Sequence, residues 1–319
     1  MEIGFPISTK ENERRRALLP EHVRSIKNRE KLYFASGYGE ALGYSDNEYI
    51  AAGANIVSLE ETLQKPIVCD PKVGDADYLS SLSPGQIIFG WIHAVQNRDI
   101  TDAILETKVT AIAWEDMFEK GRHVFWRNNE IAGEMAILHA FTMFGKLPSD
   151  CRVALIGLGN VGRGAYKVLS ALGAQVDVYR RGMEDLLRDA LPQYDVIVNA
   201  VLWDVTRKDH VIYRVDLARM RRPAMIVDIS CDRAGAIETS VPTTIENPVY
   251  VLDGVLHYVV DHTPALASHS ASVSIGDELI KYIDELLEGR LYDNEVLKNA
   301  IIIDRGVIVD QRIIAFQGR

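Results

Sequence analysis

A glycine-rich segment in the middle of the chain has the residue types and the spacing of a dinucleotide-binding turn. It follows an apolar run at residues 153–156, opens a helical pattern, and consists of Gly157, Leu158, Gly159, Asn160, Val161 and Gly162. In such a turn the glycines permit a tight bend, a close backbone approach to a pyrophosphate, and helix–strand packing, while the helix N-terminus attracts the phosphates. We interpret the segment as a nucleotide site; a glycine-rich turn in an ordinary βα unit is the alternative.

The predicted strand that follows this helix, at residues 175–179, leads directly into Arg180 and Arg181. NAD-dependent enzymes normally place an acidic residue at this point, where it binds the ribose hydroxyl. A guanidinium can instead hold the 2′-phosphate of NADP with two hydrogen bonds. We therefore predict NADP(H) as the cofactor, with a solvated basic loop as the alternative.

Two polar side chains in the N-terminal half each follow a predicted strand. Lys72 comes after the apolar run at 66–70, and His93 comes after the run at 86–92. Ligands of open α/β sheets bind at such strand ends. An imidazole exchanges protons near neutral pH, and a lysine close to other cations can assist carbonyl chemistry. Taken alone, Lys72 is better explained as a surface lysine, and His93 as a structural histidine.

Two further groups of charges carry candidate ligands. Arg14, Arg15 and Arg16 follow the first predicted strand, and since three adjacent arginines cannot all face one ligand, one of them is a candidate to clamp a substrate carboxylate. Asp228 and Asp232 flank the end of a predicted strand at 225–229. Asp232 is the better active-site candidate because it lies just past the strand end; a turn aspartate is the alternative.

The elements that must position these residues alternate between strands and helices. Strands are predicted at 2–7, 31–35, 55–57, 66–70, 86–92, 110–114, 152–156, 175–179, 195–201, 224–229, 249–252, 301–303 and 307–309, and helices from Pro20 and at 46–52, 100–106, 129–144, 162–172 and 273–287. This alternation indicates parallel βα units. A turn at 145–150 predicts a domain boundary, and the amphipathic helix at 273–287 is expected to return to the first domain.

We therefore predict an α/β fold with two Rossmann-like, doubly wound domains and a cleft between them. The expected substrate domain comprises residues 1–129 plus 271–319, and the expected NADP-binding domain comprises residues 130–270. The length of 319 residues suits two domains, and the net charge of −10 argues against a general nucleic-acid partner. Neither a membrane-spanning run nor a signal peptide is expected. Three widely spaced cysteines argue against a disulfide framework or a zinc site and favour a reducing cytoplasm.

Taken together, these residues resemble the alanine dehydrogenase/transhydrogenase/saccharopine dehydrogenase family over nearly the whole chain. Residues 13–20 are similar to its N-terminal pattern E-x-R-x-A-L-x-P, which implies that Arg15 binds the substrate carboxylate. Residues 39–54 are similar to its next signature. Lys72 and His93 match the catalytic pair of the family, and Lys72 would also contact substrate. Asp232 takes the position of an active-site aspartate that serves either cofactor or substrate.

The chain also departs from the alanine dehydrogenase pattern. Alanine dehydrogenases have an acidic residue at position 180, the sequence K-V-K-E-P around the lysine, and N-M-P where this chain has Asp261-His262-Thr263-Pro264. The latter segment is closer to the D-H-L-P of saccharopine dehydrogenases. The resemblance thus implies a short, NADP-dependent, opine-forming member. Such an enzyme condenses a keto acid (pyruvate) with the side-chain amine of an amino acid, either ornithine or lysine, and reduces the product.

Three alternatives remain open at this point. The first is an alanine dehydrogenase that uses pyruvate and ammonia, and the second is a saccharopine-type enzyme that uses lysine and 2-oxoglutarate. The third is a nucleotide-sensing protein without catalysis, although the combination of Arg15, Lys72, His93 and Asp232 argues against it. The partners expected of the opine-forming enzyme are small-molecule substrates, a keto acid and an amino acid, without nucleic acid or membrane. The apolar helix at 129–144 favours a homo-oligomer.

Overall fold

The computed structural model describes residues 1–204 and 207–319. The strands are β1 (Ile3–Phe5), β2 (Leu32–Ala35), β3 (Asn55–Val57), β4 (Ile67–Cys69), β5 (Ile87–Gly90), β6 (Thr110–Ala113), β7 (Phe118–Glu119), β8 (Arg122–His123), β9 (Arg152–Ile156), β10 (Gln175–Tyr179), β11 (Val196–Asn199), β12 (Ala224–Asp228), β13 (Val249–Leu252), β14 (Val255–Tyr258), β15 (Ile301–Asp304) and β16 (Val307–Ile308). The helices are α1 (Pro20–Ser25), α2 (Asp46–Ala52), α3 (Leu59–Leu63), α4 (Arg98–Thr107), α5 (Trp126–Phe144), α6 (Asn160–Ala171), α7 (Glu184–Ala190), α8 (Ser268–Leu287), α9 (Glu295–Asn299) and α10 (Gln311–Gln317).

The chain divides into two compact units. Unit 1 consists of Met1–Trp126 and Ser268–Arg319, and unit 2 consists of Arg127–Ala267. Each unit contains its own sheet with helices between successive strands, so the predicted α/β class is confirmed. None of the helices in the described ranges combines the length and the apolarity that crossing a bilayer requires.

The sheet of unit 1 has the strand order β16-β15-β6-β5-β4-β1-β2-β3. The six strands from β3 to β6 are parallel, and their order 3-2-1-4-5-6 is that of a Rossmann fold. One apolar face of α8 belongs to the same buried cluster as strands β1 and β2, with Ile275, Leu279 and Ile283 fully buried. That helix begins at Ser268, five residues before the predicted start, and it completes the core of unit 1.

The sheet of unit 2 has the strand order β10-β9-β11-β12-β14-β13, in which only β13 is antiparallel to its neighbour. Strand β14 is absent from the sequence-based expectation. It forms a hairpin with β13 through Asp253 and Gly254, whose φ angles are 50° and 79°. An Asp-Gly pair with both φ angles positive is the preferred two-residue hairpin turn, so the sequence did contain the signal.

Helix α5 packs on α6 with almost no side chain between them. A Cβ atom on Gly133 would lie 2.0 Å from the carbonyl oxygen of Val161, and one on Gly164 would lie 1.9 Å from that of Glu130. The other side of α5, including Ile137 and Ala140, is buried with strand β9. The turn at 145–150 therefore lies inside unit 2. Its interpretation as a domain boundary is wrong, because the preceding helix already belongs to this core.

Candidate active site

Arg15 and Glu13 form a buried ion pair in the segment that follows β1. The Arg15 Nε donates to Glu13 Oε1 at 2.9 Å, and its Nη2 donates to Oε2 at 2.6 Å. The guanidinium carbon also lies 4.8 Å from the centroid of the Trp91 ring. Burial raises the pKa of Glu13, but the charge and hydrogen bonds of Arg15 and the charge of Lys72 outweigh it, so the pKa is lowered. Arg15 is thus held rigidly by an ionised carboxylate.

The three consecutive arginines have different surroundings. Arg14 is exposed, whereas Arg15 and Arg16 are both 3% exposed. Arg16 donates to the carbonyl oxygens of Tyr38 and Arg15, and its guanidinium lies 5.2 Å from the Tyr38 ring centroid. The contacts of Arg16 are those of a structural residue. Arg15 remains the candidate ligand for a substrate carboxylate.

Lys72 lies in the turn that follows β4, and it is almost fully buried. The Asp70 carboxylate fixes this turn, because it accepts hydrogen bonds from the Lys72 backbone N–H at 2.9 Å and from the Tyr78 hydroxyl at 2.6 Å. Burial raises the pKa of Asp70 to about 6, more than the hydrogen bonds from Tyr78 and Lys72 lower it. A Cβ on Gly74 would lie 2.1 Å from the Ile92 carbonyl oxygen, so the turn presses against the segment that leads to His93.

Asp75 pairs with the predicted catalytic lysine. Its Oδ2 lies 3.3 Å from the Lys72 Nζ and 3.4 Å from the Lys10 Nζ. Burial raises the pKa of Asp75, but the charges of Lys72, Lys10 and His93 outweigh it, and the pKa is lowered. The carboxylate is therefore ionised at neutral pH, with Lys72 and His93 both within electrostatic reach of it.

His93 occupies the end of the β5 segment in a left-handed conformation, with φ at 55°. This conformation is disfavoured for residues other than glycine. The Glu115 carboxylate stabilises it by accepting hydrogen bonds from the backbone N–H of His93 at 2.6 Å and that of Ile92 at 3.2 Å. Burial raises the pKa of Glu115 to about 7 despite these hydrogen bonds.

The glycine-rich turn in unit 2 has the geometry of a phosphate site. Gly157 follows β9 with φ at 86° and donates its N–H to the Tyr179 carbonyl oxygen at 2.9 Å. A Cβ on Gly162 would lie 2.3 Å from the Gly157 carbonyl oxygen, whereas a Cβ on Gly159 would meet no atom within 4 Å. The space in front of Gly159 and the N-terminus of α6, which begins at Asn160, fit a pyrophosphate. Leu158 and Val161 complete the turn.

Arg180 and Arg181 follow β10 directly, and both side chains are exposed. The ion pairs found within residues 1–204 and 207–319 do not include either side chain. Because β9 and β10 are parallel neighbours, Arg180 leaves the sheet at the same edge as the glycine-rich turn. Two cations therefore stand at this edge directly after β10.

Asp232 lies in the loop that follows β12, and Asp228 holds that loop in place. The buried Asp228 carboxylate accepts hydrogen bonds from the Asn199 side chain at 2.8 Å, from the backbone N–H groups of Ser230 and Cys231, and from the Ser240 hydroxyl. Asp232 itself is only partly buried. The two aspartates therefore differ in role, with Asp228 as the structural one and Asp232 as the candidate ligand.

A carboxylate–imidazole pair follows β14. The Nδ1 of His262 and the Oδ1 of Asp261 are 2.5 Å apart, with His262 buried and Asp261 partly exposed. The next residue, Thr263, donates its hydroxyl to the Ala132 carbonyl oxygen at 2.9 Å, which ties this segment to α5. Since β9, β12 and β14 run parallel, the pair lies at the same sheet edge as the glycine-rich turn and the Asp232 loop.

Comparison with known proteins assigns both halves of the chain to one family. The family model "Alanine dehydrogenase/PNT, N-terminal domain" matches residues 4–126, and "Alanine dehydrogenase/PNT, C-terminal domain" matches residues 180–311. The chain belongs to the alanine dehydrogenase/PNT family. This confirms the predicted family, and it makes the protein an oxidoreductase of a family that binds a nicotinamide dinucleotide.

Two kinds of relative are similar over most of their length. An N(5)-(carboxyethyl)ornithine synthase of Clostridium botulinum is 31% identical over 303 residues, which cover 89% of this chain and 94% of that protein. A synthase with the same name from Lactococcus lactis is 27% identical, with 89% and 96% covered. An alanine dehydrogenase of Halomonas elongata is 28% identical, with 90% and 88% covered.

Solved structures confirm the fold, with two Rossmann-like domains. An L-alanine dehydrogenase gives a TM-score of 0.85 at 22% identity, covering 100% of this chain and 99% of the other. A transhydrogenase from Sinorhizobium meliloti gives a TM-score of 0.78 at 18% identity, covering 97% and 100%.

Asp70 predicts a pH dependence of stability. Its pKa in the folded protein is about 6, against an ordinary value of 3.8. Between these values the folded state holds more protons than the unfolded state, so the free energy of unfolding falls as pH rises. In Asp70→Asn this contribution disappears. From about pH 4 to about pH 6 the wild type should lose roughly 2–3 kcal/mol relative to the variant.

Urea denaturation of both proteins across this pH range measures the difference. The exposed Asp77→Asn variant, from the same loop, is the matched control, and its curve should run parallel to that of the wild type. If the Asp70→Asn curve is also parallel to the wild type, the assignment of a raised pKa to Asp70 is wrong.

Proposed function

We propose that this protein catalyses the NADPH-dependent reductive condensation of pyruvate with the side-chain amine of ornithine, and forms an N-carboxyethyl amino acid. The observation that carries the proposal is the 31% identity to an N(5)-(carboxyethyl)ornithine synthase over 94% of that protein's length. The Asp261-His262-Thr263-Pro264 segment, which differs from the N-M-P of alanine dehydrogenases, supports it. Lysine is the second candidate amine.

The residues of unit 1 supply the binding and proton-transfer groups. Arg15, fixed by Glu13, would hold the pyruvate carboxylate with a preorganised guanidinium. Lys72 would contact the keto oxygen, and His93 would contact the attacking amine. Holding both substrates at such fixed groups lowers the entropic part of the barrier. In this scheme Asp232 contacts either the second substrate or the cofactor.

Proton transfer between these groups accounts for the condensation. The amine nitrogen bonds to the keto carbon, and His93 removes one proton from that nitrogen. His93 passes that proton to the former keto oxygen, and the Lys72 ammonium donates a second one. The oxygen then leaves as water, and the nitrogen lone pair forms the C=N bond. Lys72 then regains a proton from solvent.

The residues of unit 2 fit a dinucleotide, because Gly159 is open and the first turn of α6 has a glycine as its N-cap. The segment from Gly157 to Gly162 would hold the pyrophosphate, and Arg180 and Arg181 would hold the 2′-phosphate. When bound, the reduced nicotinamide supplies the hydride that reduces the C=N carbon.

A substrate panel tests the reaction. NADPH oxidation is followed with pyruvate or 2-oxoglutarate, each combined with ammonia, lysine or ornithine. We expect the highest kcat/KM with pyruvate and ornithine. Lys72→Met and His93→Ala should lower kcat by about 100-fold or more, since each removes a general acid or base, while the exposed Lys298→Met should not. Preference for pyruvate with ammonia would instead indicate an alanine dehydrogenase. Preference for 2-oxoglutarate with lysine would indicate a saccharopine-type enzyme, and NADPH binding without turnover would indicate a sensor.

A substitution at Arg180 tests the proposed preference for NADPH over NADH. Arg180→Asp replaces the cation by the carboxylate of NAD-type enzymes, so we expect the preference for NADPH over NADH, as the ratio of kcat/KM values, to fall by about 10- to 100-fold. Arg221→Asp makes the same charge change just before β12, at the opposite edge of the sheet, and should leave the ratio unchanged. An unchanged ratio in Arg180→Asp would exclude it from recognition of the 2′-phosphate.

We further propose that the protein is a homo-oligomer. Leu138 and Met143 on α5 are 43% and 41% exposed, and Leu147 just after it is 67% exposed, so this apolar helix retains an apolar outer surface. Sedimentation velocity should show a species larger than 36 kDa, and Leu138→Glu combined with Met143→Glu should dissociate it. A monomeric wild type contradicts the proposal.

We place the protein in a reducing compartment such as the cytoplasm. Its cysteines Cys69, Cys151 and Cys231 are free thiols, and the first two are buried. Free buried thiols are typical of proteins from such compartments.

A further inference from the structure

Asp75 is the carboxylate closest to the Lys72 ammonium, and the sequence comparison with the family did not single it out. Both lie in the turn Lys72–Asp75, where the family pattern around the lysine is not followed. The side chain of Lys72 is 5% exposed and that of Asp75 is 29% exposed. An ammonium this far from water needs a counter-charge, since an unpaired buried ion costs several kcal/mol.

The hydrogen bonds of the other carboxylates nearby are directed to other partners. Both oxygens of Glu13 are engaged by Arg15, which also donates its backbone N–H to Oε1 at 2.9 Å. Asp70 is occupied by the Tyr78 hydroxyl and the Lys72 backbone N–H. Within residues 1–204 and 207–319, the ion pair recorded for the Lys72 Nζ is the one with Asp75.

Asp75 is shared between two ammonium groups that come from different segments. Lys10 belongs to the segment after β1, and its Nζ lies 3.4 Å from the same Oδ2 atom that Lys72 approaches at 3.3 Å. The charge of His93, which follows β5, also lowers the pKa of this carboxylate. Lys10 therefore competes with Lys72 for one carboxylate oxygen.

We propose that Asp75 is a positioning residue that keeps Lys72 protonated and aimed, so that Lys72 acts as the proton donor and His93 as the proton acceptor. This inference rests on the proposed function for its catalytic meaning. Its physical content is independent of substrate, because the charge state of Lys72 can be measured directly.

The direct test is the reactivity of Lys72 toward acetic anhydride in the full-length protein, since only the neutral amine reacts. Acetylation of Lys72 is followed by mass spectrometry between about pH 7 and pH 10, a range that brackets the ordinary lysine value, with the exposed Lys298 as internal reference. In Asp75→Asn, which keeps the shape and removes the charge, Lys72 should react about tenfold faster than in the wild type at a given pH. Asp75→Glu should restore the wild-type rate, and Asp77→Asn should not alter it.

Lys10→Met gives a change of opposite sign. Removing the competing ammonium should slow the acetylation of Lys72, because Asp75 then pairs with Lys72 alone. An unchanged rate in Asp75→Asn overturns the proposal. If Asp75→Asn does not fold, an unchanged or faster rate in Lys10→Met overturns it.

The kinetic consequence is measured with whichever substrate pair the panel identifies. In Asp75→Asn, kcat should fall at high pH about one pH unit earlier than in the wild type, with a smaller effect on KM. A merely structural role of Asp75 would lower activity equally at every pH. Absence of turnover with pyruvate and ornithine would contradict the proposed function but leave the acetylation result valid.

Discussion

The reversal of strand order in each sheet determines where the chemistry of this protein is located. In unit 1 the order reverses between β1 and β4, and in unit 2 it reverses between β9 and β11. Right-handed crossovers then place the following helices on opposite faces of the sheet. The segments that leave these strands move apart and open a crevice at the carboxyl edge. Arg15, Lys72 and the glycine-rich turn all lie in such segments.

The charges gathered at this edge of unit 1 must also balance one another. Arg15 and Lys72 are nearly inaccessible to water, and they are paired with Glu13 and Asp75 respectively, although Asp75 also pairs with Lys10. Burial raises the pKa of Asp70 to about 6, so this carboxylate takes up a proton as the pH falls below neutrality. Groups paired in this way are already oriented before a ligand arrives, so binding and reaction require little reorganisation.

The sequence predicts most elements of the fold, and the errors have physical reasons. Helix α2 has the predicted bounds, since the capping box of Ser45 and Glu48 defines its start and Gly53 its end. Strand β14 has a weak sequence signal, because its four residues include a polar His257. The turn at 145–150 resembles a boundary in sequence, because sequence does not show on which core α5 packs.

The site could be predicted only where a motif carries it. Sequence patterns predict Lys72, His93 and the glycine-rich turn as site residues. The roles of Asp75 and Glu115 depend on distances between side chains and segments that only the structure gives. Glu115 reaches the His93 backbone because β5 and β6 are paired, and Asp75 reaches Lys10 because β1 and β4 are paired. Such contacts between segments have no local sequence signal.

The glycine contact between α5 and α6 has a mechanical consequence. Backbone atoms of the two helices meet at Gly133 and at Gly164, without flexible side chains that could act as a cushion. A rotation of α6 about its own axis would force carbonyl groups of one helix into the other. The two helices therefore resist rotation against each other, and this close contact also restrains the turn from Gly157 to Gly162 at the start of α6.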